Sequence, residues 1–493
     1  MRLAELLAGV EVVAIDGADD LEIAEVRDDS RALSAGDLFV ATRGQTVDGH
    51  DYVAGAAARG ALAVVVEDDV PFAGTRVRVR SSAVALAQIA ANRYGRPADA
   101  LTLIAITGTN GKTTTTFLAE SLARAAGGQA GVLTTVTYRY GMIERPAPFT
   151  TPTPLVLHAT LAEMRAAGVT HVAMEASSHA LALERLAGVH FAVAAFTNLT
   201  QDHLDFHGTM ERYRDAKALL FREHLAANGV GVINLDGAGG EWMLSQVRGR
   251  ALSVSATRAA DIRVTRAEQT VDGIAAEFAT PVGPVGLRSP LIGAFNLENL
   301  GVAVGIGVAL GLSAEGIARG LGDVGGVPGR LERVDNDRGF GVFVDYAHTP
   351  DALERVMAAL KPLTRGRLIV VFGCGGDRDR TKRPIMGRLV ARDADLPIVT
   401  SDNPRTEDPA AIVAQIVDGV KAQRGDGFVV EIDRHRAIAG AISAARAGDV
   451  VLIAGKGHED YQIIGKVKQH FDDRQEAKSA LAKLANPAPN GQD

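Results

Sequence analysis

Short apolar runs alternate with amphipathic, helix-like segments along most of the chain. Between residues 101 and 234, four apolar runs of strand length cover residues 101–106, 171–175, 193–197 and 230–234. Alternation of strands and helices is typical of a mainly parallel sheet whose faces are covered by helices. The pattern therefore predicts an α/β protein.

Two segments with glycine and proline, residues 94–98 and 324–330, interrupt this pattern. We therefore predict three domains, at residues 1–98, 99–327 and 328–493. In the first domain, two strand-like runs and an Ala-rich helical stretch occupy residues 37–41, 61–66 and 83–93. In the third, four apolar runs interspersed with helix-like segments occupy residues 341–345, 367–372, 396–400 and 449–454. We expect this third domain to be Rossmann-like and to close about a hinge at residues 324–330.

Composition narrows the class of protein. The 493 residues suit about three domains, and 47% hydrophobic with 23% charged residues is ordinary for a soluble globular protein. A net charge of −7 without a basic stretch disfavours nucleic-acid binding. The longest weakly polar run, residues 301–312, is too short and glycine-rich for a membrane span and predicts a buried helix. Cys374 is the only cysteine, which excludes an intrachain disulfide and fits the cytoplasm.

A phosphate-binding loop is the clearest chemical signal. Residues 107–115 read Thr-Gly-Thr-Asn-Gly-Lys-Thr-Thr-Thr directly after the apolar run 101–106. In a strand, glycine-containing turn and helix start, main-chain N–H groups point at an anion. Lys112 would add positive charge, and the Thr113 hydroxyl can ligate Mg²⁺.

This loop departs from the P-loop template, which has a glycine where this chain has Ile106. It is therefore a shorter variant built on Gly108 and Gly111. The alternative is a glycine-rich turn before a lysine-bearing helix, but strand, loop and helix follow in the order that nucleotide binding requires. The predicted phosphate contacts are Gly108, Thr109, Asn110, Gly111, Lys112, Thr113 and Thr114.

Polar residues follow the next strands of the second domain. Glu175 ends one strand, and Asn198 with His203 follows another. Parallel sheets bind ligands outside the carboxyl ends of their strands, so a carboxylate and an imidazole beside Thr113 can hold Mg²⁺. Either residue alone would more often be a structural hydrogen-bonding group. Their arrival at consecutive strand ends near a phosphate loop favours metal ligands.

Two further positions are ambiguous by themselves. Lys217 lies in a helix-like segment at residues 213–221 and, in isolation, reads as a solvated surface lysine. Asn296 and Asn299 stand at a predicted helix start. They either cap that helix or recognise a nucleotide base with their side-chain amides.

Charged loops end three strands of the third domain. Arg378 and Arg405 can grip carboxylates, and Asp402 and Glu459 can accept hydrogen bonds from ammonium groups. Two cations and two anions suit a zwitterionic amino acid, particularly one with a second amino-acid head. The alternative is a surface salt-bridge network.

These motifs together resemble the Mur ligase family, the ATP-dependent amide-forming enzymes of bacterial cell-wall precursor synthesis. The resemblance spans residues 28–475 and rests on motifs at residues 107–114, 175–179, 198–205, 217, 296–299 and 345–350. It implies ATP and Mg²⁺ as cofactors, with Thr113, Glu175 and His203 serving the metal. It also implies that Lys217 carries a CO₂-derived carbamate that helps to bind Mg²⁺. The residues that would contact ATP outside the loop are Asn296, Asn299 and Arg330.

The resemblance also implies a two-step reaction. The D-Glu carboxylate of UDP-MurNAc-L-Ala-D-Glu attacks the γ-phosphorus of ATP, and an amino acid then displaces phosphate from the resulting acyl phosphate. Catalysis would come mostly from positioning and charge neutralisation. The incoming ammonium must lose a proton, for which Asp345 and His348 are candidates. The implied catalytic residues are Lys112, His203, Lys217, Asp345 and His348.

The sequence Asp-Asn-Pro-Arg at residues 402–405 is similar to that of the family members that add meso-2,6-diaminopimelate. Arg405 would read the distal carboxylate, which lysine lacks. A guanidinium placed for that carboxylate should reject an analogue without it, because the charge would stay unpaired. The implied contacts with diaminopimelate are Arg378, Asp402, Asn403, Pro404, Arg405, Gly455 and Glu459.

The nucleotide-sugar peptide would bind to the first and second domains. By resemblance, its UDP end contacts Ser30, Gln45, Thr46 and Val47, and its muramoyl peptide contacts Thr150, Thr151, Ser177 and Arg185. Family members often have glutamine where this chain has Leu183, which cannot make the same hydrogen bond. Leu183 is the one position that departs from the family's pattern among these predicted contacts.

Two alternatives remain at this stage. A ligase of the same architecture could join glutamate to folate or add another amino acid, although the UDP-type first domain and residues 402–405 argue against both. A P-loop switch or regulatory ATPase would hydrolyse ATP without any amino acid. We expect a cytoplasmic monomer that does not bind nucleic acid and has no membrane span, while peripheral association with a membrane stays open.

Overall fold

The computed structural model describes residues 1–44 and 47–485, which form an α/β protein with three main sheets. Parallel neighbours predominate in the two larger sheets, as the alternating pattern predicted. Short 3₁₀ helices cover Ser30–Ala32, Gly49–Tyr52, Pro97–Ala100 and Lys361–Leu363.

The first sheet has five strands in the order β1-β5-β4-β3-β2, all parallel to their neighbours except β1. Its strands are β1 (Val12–Asp16), β2 (Val26–Arg27), β3 (Leu38–Val40), β4 (Ala63–Val66) and β5 (Thr75–Val79). The accompanying helices are α1 (Leu3–Leu6), α2 (Val53–Ala58) and α3 (Ser82–Arg93). The side chain of Ser81 caps α3 by accepting from the amide of Val84.

The second sheet has eleven strands in the order β16-β15-β14-β13-β12-β11-β6-β10-β7-β8-β9. They are β6 (Thr102–Thr107), β7 (Ala130–Leu133), β8 (Thr137–Tyr140), β9 (Ile143–Pro146), β10 (His171–Glu175), β11 (Phe191–Phe196), β12 (Leu225–Asn234), β13 (Arg250–Ser255), β14 (Ile262–Thr270), β15 (Gly273–Ala279) and β16 (Val285–Ser289). The helices are α4 (Lys112–Ala125), α5 (Pro154–Ala166), α6 (Ser178–Ala182), α7 (Leu204–His207), α8 (Met210–Arg222), α9 (Gly240–Leu244), α10 (Ala294–Ala309) and α11 (Ala314–Gly322).

Register in this sheet brings the predicted site residues to one edge. The central strand β6 is parallel to β10 on one side and β11 on the other. Glu175 pairs with Ile106, and Phe196 pairs with Thr107, so the three strands end at the same level. Loops that leave these ends therefore meet.

The third sheet has six strands in the order β17-β18-β22-β19-β20-β21, beside a two-stranded hairpin. The strands are β17 (Glu332–Arg333), β18 (Gly341–Asp345), β19 (Leu368–Phe372), β20 (Leu396–Val399), β21 (Val429–Val430) and β22 (Val450–Ala454), with β23 (Tyr461–Ile464) and β24 (Val467–His470) in the hairpin. The helices are α12 (Pro350–Leu360), α13 (Lys382–Asp393), α14 (Pro409–Arg424), α15 (Arg434–Ala444) and α16 (Asp473–Ala485).

Strands at the centre of the sheets are buried on both faces. All residues of β19 and β22 are buried, as are all but the first residue of β6. Such strands read as continuous apolar runs rather than as alternating ones, which is why they stand out in the sequence. The predicted buried helix at 301–312 falls largely within α10.

By its contacts the chain forms two compact units. One contains residues 1–265, 278–285 and 298–321, and the other contains residues 266–277, 286–297 and 322–493. The predicted fold class is confirmed, whereas the domain boundaries at residues 98 and 327 stay predictions. Among the described residues, none of the helices has the length and hydrophobicity needed to cross a bilayer.

Candidate functional site

The loop between β6 and α4 has a backbone that only glycine fits at two positions. Gly108 has φ +152°, and a Cβ there would lie 1.9 Å from Thr197 Oγ1. Gly111 has φ +82°, and a Cβ there would lie 2.3 Å from Asn299 Oδ1. The side chains of Thr197 and Asn299 therefore pack against the loop backbone, and the absence of a Cβ at the two glycines permits this close approach.

Asn198 holds the loop in place from the end of the neighbouring strand. Its Oδ1 accepts from the amide of Asn110 at 2.9 Å, its Nδ2 donates to the carbonyl of the same residue at 3.1 Å, and its carbonyl accepts from the amide of Thr109 at 2.8 Å. Lys112 Nζ donates to the carbonyls of Gly108 and Thr109 at 3.0 and 2.8 Å. The loop thus carries a positive charge at the start of α4, as nucleotide phosphates require.

A hydroxyl and a carboxylate suited to Mg²⁺ lie next to this loop. Thr113 Oγ1 donates to Glu175 Oε1 at 2.9 Å, and the Glu175 side chain is buried. Thr135 also contacts this carboxylate, through its amide at 3.0 Å and its hydroxyl at 3.3 Å. Sequence reasoning missed Thr135, because no motif marks this residue, the second after β7.

His203, a further predicted metal ligand, lies close to two other histidines. Its ring centroid is 4.6 Å from that of His179, whose centroid is 5.4 Å from that of His207. Burial lowers the pKa of all three imidazoles, that of His207 to about 4. Neutral imidazoles are the form that binds metals.

No cluster of three His, Cys, Asp or Glu residues suited to a metal occurs in the described part of the chain. The predicted magnesium ligands include only two residues of these types, Glu175 and His203. The other two ligands are the Thr113 hydroxyl and a carbamate on Lys217. Mg²⁺ commonly keeps several waters and takes few protein ligands. The adjacent hydroxyl and carboxylate fit that coordination chemistry.

Lys217 is buried, contrary to its interpretation as a surface lysine. Only 1% of the residue is exposed, and its Nζ donates to the carbonyl of Gly108 at 2.8 Å. It lies 4.3 Å from the ring centre of Tyr213, whose hydroxyl is 3.1 Å from Thr109 Oγ1. Burial, assisted by the charge of Lys112, lowers the pKa of the Lys217 amine well below its usual value. Tyr213 is a second contact that the sequence did not reveal.

The residues predicted to hold the muramoyl peptide form one hydrogen-bonded group. Thr151 Oγ1 lies 3.2 Å from Ser177 Oγ and donates to the carbonyl of Glu175 at 2.8 Å. Arg185 donates to the carbonyl of Thr151 at 3.2 Å. Thr150 accepts from Thr135 at 3.1 Å, which connects this group with the Glu175 carboxylate.

The predicted UDP contacts are only partly described. Ser30 begins a 3₁₀ turn whose preceding residue, Asp29, accepts from the amide of Arg31. Val47 is exposed. Gln45 and Thr46 lie outside the described residues, so their predicted contacts stay predictions. Leu183 is the C-terminal cap of α6.

In the third sheet, Asp345 is the last residue of β18, and His348 lies in the loop that follows. Both carboxylate oxygens of Asp345 accept backbone amides, from Leu331 at 2.7 Å and Ala347 at 2.8 Å. His348 Nδ1 is 2.8 Å from the carbonyl of Tyr346. Burial raises the pKa of Asp345. Arg330 stacks over the Tyr346 ring at 5.1 Å.

Two of the four charged side chains predicted to bind an amino acid share one neighbour, because Asp402 Oδ1 and Glu459 Oε2 lie 3.9 and 3.4 Å from the Lys456 ammonium. Asn403 Nδ2 donates to Glu459 Oε2 at 2.9 Å, and the neighbouring Asp402 is buried. Arg405 Nη1 donates to the carbonyl of Gly376 at 2.9 Å, from a half-buried side chain. Arg378 lies on the exposed part of the loop after β19.

The hairpin β23–β24 fixes the backbone of Arg405. The amide of Arg405 donates to the carbonyl of Ile463 at 3.0 Å, and its carbonyl accepts from Gly465 at 2.7 Å. Arg405 also has φ +50°, which is unfavourable for a residue other than glycine. Backbone strain of this kind persists only where surrounding structure imposes it and is common at ligand-binding positions.

Comparisons with known proteins agree with this geometry. Three family models match: "Mur ligase family, catalytic domain" at residues 22–94, "Mur ligase middle domain" at 106–307 and "Mur ligase, glutamate ligase domain" at 329–457. A UDP-N-acetylmuramoyl-L-alanyl-D-glutamate–2,6-diaminopimelate ligase of Geobacter metallireducens is 46% identical over 99% of each chain.

Solved structures extend the likeness to three dimensions. One UDP-N-acetylmuramoyl-L-alanyl-D-glutamate–2,6-diaminopimelate ligase has a TM-score of 0.72 and 33% identity, covering 99% of both chains. The MurF ligase of Thermotoga maritima, solved in complex with ADP, has a TM-score of 0.59 and 19% identity, covering 94% of this chain and 98% of its own. At 19% identity, the similarity to the MurF ligase shows a shared fold only.

Proposed function

The chain belongs to the Mur ligase family, and from this premise we propose that it joins 2,6-diaminopimelate to UDP-MurNAc-L-Ala-D-Glu at the expense of ATP. The reaction is an amide ligation in peptidoglycan precursor synthesis. We propose the meso isomer as the amino acid, a monomer as the active form and the cytoplasm as its location.

The side chains of Asp402, Asn403 and Glu459, together with Arg405 on the same loop as Asp402, carry this proposal. An ATPase that drives a partner protein has no use for a half-buried guanidinium on the same short loop as a buried carboxylate and an amide that binds Glu459. A zwitterionic head uses both kinds of partner at once. Full-length identity of 46% to a 2,6-diaminopimelate ligase supports the same choice.

ATP would bind with its phosphates at residues 108–114 and its adenine near Asn296 and Asn299, with Arg330 as a further contact. Thr113, Glu175 and His203 would hold Mg²⁺, together with a carbamate on Lys217. Bound Mg²⁺ supplies charge neutralisation as two anions approach. Lys112 adds a fixed positive charge at the same loop.

We propose that the D-Glu carboxylate attacks the γ-phosphorus, which expels ADP and leaves an acyl phosphate. Thr150, Thr151, Ser177 and Arg185 orient the peptide for this attack. The uncharged amine of diaminopimelate then attacks the acyl carbon, and inorganic phosphate departs from the tetrahedral intermediate. Phosphorylation therefore converts a poor leaving group into a good one.

The amine must lose a proton before it attacks. His348 is the better acceptor of the two candidates, because both oxygens of Asp345 already accept backbone amides. Asp345 instead fixes the turn that carries His348. We also propose that the third domain closes about residues 324–330 when its substrates bind.

Phosphate release tests the proposal, measured with each substrate omitted in turn and with lysine or glutamate replacing diaminopimelate. We expect turnover only with nucleotide dipeptide, ATP and diaminopimelate together. Arg405→Ala should lower kcat/KM for diaminopimelate by about 100-fold or more, because the distal carboxylate loses its partner. Binding of ATP should not change.

The exposed Arg380, which pairs with Glu407 nearby, offers a matched control in Arg380→Ala. Turnover without any amino acid would identify an ATPase, and equal use of lysine or glutamate would identify another ligase. Equal losses of ATP binding and diaminopimelate use in Arg405→Ala would refute the role of that residue.

A further inference from the structure

A fully buried lysine lies beneath the group that we assign to amino-acid binding. Lys456 is the second residue after β22, and none of its side chain is exposed. A buried ammonium is costly unless oxygens surround it. Its environment therefore indicates what the charge does.

Three oxygens surround the Lys456 ammonium. Nζ lies 3.2 Å from Asn403 Oδ1, 3.4 Å from Glu459 Oε2 and 3.9 Å from Asp402 Oδ1. All three belong to residues assigned to diaminopimelate. The ammonium therefore contacts the binding group from its buried side.

The contact to Asn403 determines the orientation of that amide. Asn403 Oδ1 accepts from both Lys456 and the amide of Ile463, the latter at 2.9 Å. Two donors on the oxygen turn the Nδ2 group toward Glu459 Oε2, to which it donates at 2.9 Å. Lys456 thus fixes the Glu459 carboxylate both directly and through Asn403.

The contact of Lys456 to Asp402 is made at Oδ1. Oδ2 lies against Gly455, where a Cβ would approach it to 2.6 Å. Lys456 offsets one of the two negative charges of Asp402 and Glu459, so these three side chains together carry one net negative charge. That residual charge matches a single ammonium group.

We propose that Lys456 is a positioning residue that orients Asp402 and Glu459 to receive the distal ammonium of diaminopimelate. The inference rests on the proposed function and goes beyond it, because it assigns discrimination of the distal head to a residue that would not touch the substrate. Without Lys456, Asp402 and Glu459 would lose the ammonium that contacts both carboxylates, and Asn403 would lose one of its two donors.

Steady-state kinetics of Lys456→Met test this role. We expect KM for diaminopimelate to rise about 10- to 100-fold, with KM for ATP unchanged. The preference for diaminopimelate over 2-aminopimelate, which lacks the distal ammonium, should fall by about tenfold. Lys456→Arg, which keeps the charge, should lose less of that preference.

Lys468→Met is the matched control. Its exposed ammonium lies 3.6 Å from the ring centre of Tyr461, near Lys456, but outside the group of oxygens. This variant should retain the wild-type constants. If Lys456→Met does not fold, Lys456→Gln provides the same test, since an amide retains donors without charge.

An unchanged preference between the two amino acids would overturn the inference. An equal loss of kcat/KM for all three substrates, together with lower thermal stability, would also overturn it. Failure of the wild-type enzyme to use diaminopimelate would instead refute the proposed function. The two failures are therefore distinguishable within one series.

Discussion

The chemistry of Lys217 depends on its surroundings rather than on its place in a helix. Its ammonium would be buried beside Lys112, and both factors favour the neutral amine. A neutral amine reacts with CO₂, forming an N–C bond and releasing one proton as the carbamate forms. Burial thus prepares this lysine for the modification that we propose.

We predict that Lys217→Ala lowers turnover by about 100-fold or more, because a ligand that helps to place charge at the phosphate is lost. Formate or acetate should restore part of the activity by filling the space of the carbamate. ¹³C NMR in labelled bicarbonate should detect a carbamate in the wild-type protein and none in the variant.

Replacement of an exposed lysine, Lys478→Ala, provides the control for this experiment. Full activity of Lys217→Ala without any added carboxylate would rule out the carbamate.

At the scale of elements, two helices are tied to the strands that carry the amino-acid site. Arg434 begins α15 and Asp473 begins α16, and both side chains are fully buried. Arg434 donates to the two Asp473 oxygens at 2.7 and 2.6 Å, and also to the carbonyls of Ser401 and Ala454. The loops bearing Asp402 and Gly455 start from these carbonyls.

Removal of one partner from this pair should destabilise the protein strongly. We predict that Asp473→Ala lowers the free energy of unfolding by about 3–5 kcal/mol, because it leaves a buried guanidinium without its counter-ion. The double variant Arg434→Met/Asp473→Leu should lose less of the free energy of unfolding, since neither charge of this pair remains buried. Denaturant unfolding measures both. Additive losses in the double variant would contradict this explanation.

At the scale of the whole molecule, buried histidines connect stability with pH. His158 in α5 is 2% exposed, and neither ring nitrogen has a hydrogen-bond partner among the described residues. Burial, assisted by the charge of Arg96 and opposed by Asp99, lowers its pKa to about 4. The folded protein therefore keeps this ring neutral at pH values where the unfolded chain protonates it.

We predict that the free energy of unfolding falls as the pH falls from 6.5 to 4, since protons bind preferentially to the unfolded chain. His158→Phe should remove up to about 3 kcal/mol of that pH dependence. Denaturant unfolding at pH 7.5 and 4.5 measures the difference, with the exposed His470→Gln as control. Equal pH dependence in His158→Phe and the wild type would contradict the assignment.

The sequence by itself determined the α/β class, the central strands and the phosphate loop. Strands such as β19 and β22 are buried on both faces, so a continuous apolar run in the sequence predicts them. Gly108 and Lys112 belong to one short segment whose spacing already specifies a loop between a strand and a helix. The short motif at residues 402–405 likewise indicated Asp402 and Arg405 as candidate contacts of an amino acid.

Only the tertiary structure decided which of these side chains are buried and what they contact. The charge state of Lys217, the contact of Thr135 with Glu175 and the burial of Lys456 all depend on segments far apart in the chain. Spacing within one segment carries no information about such neighbours, whereas desolvation and hydrogen bonding depend on them entirely.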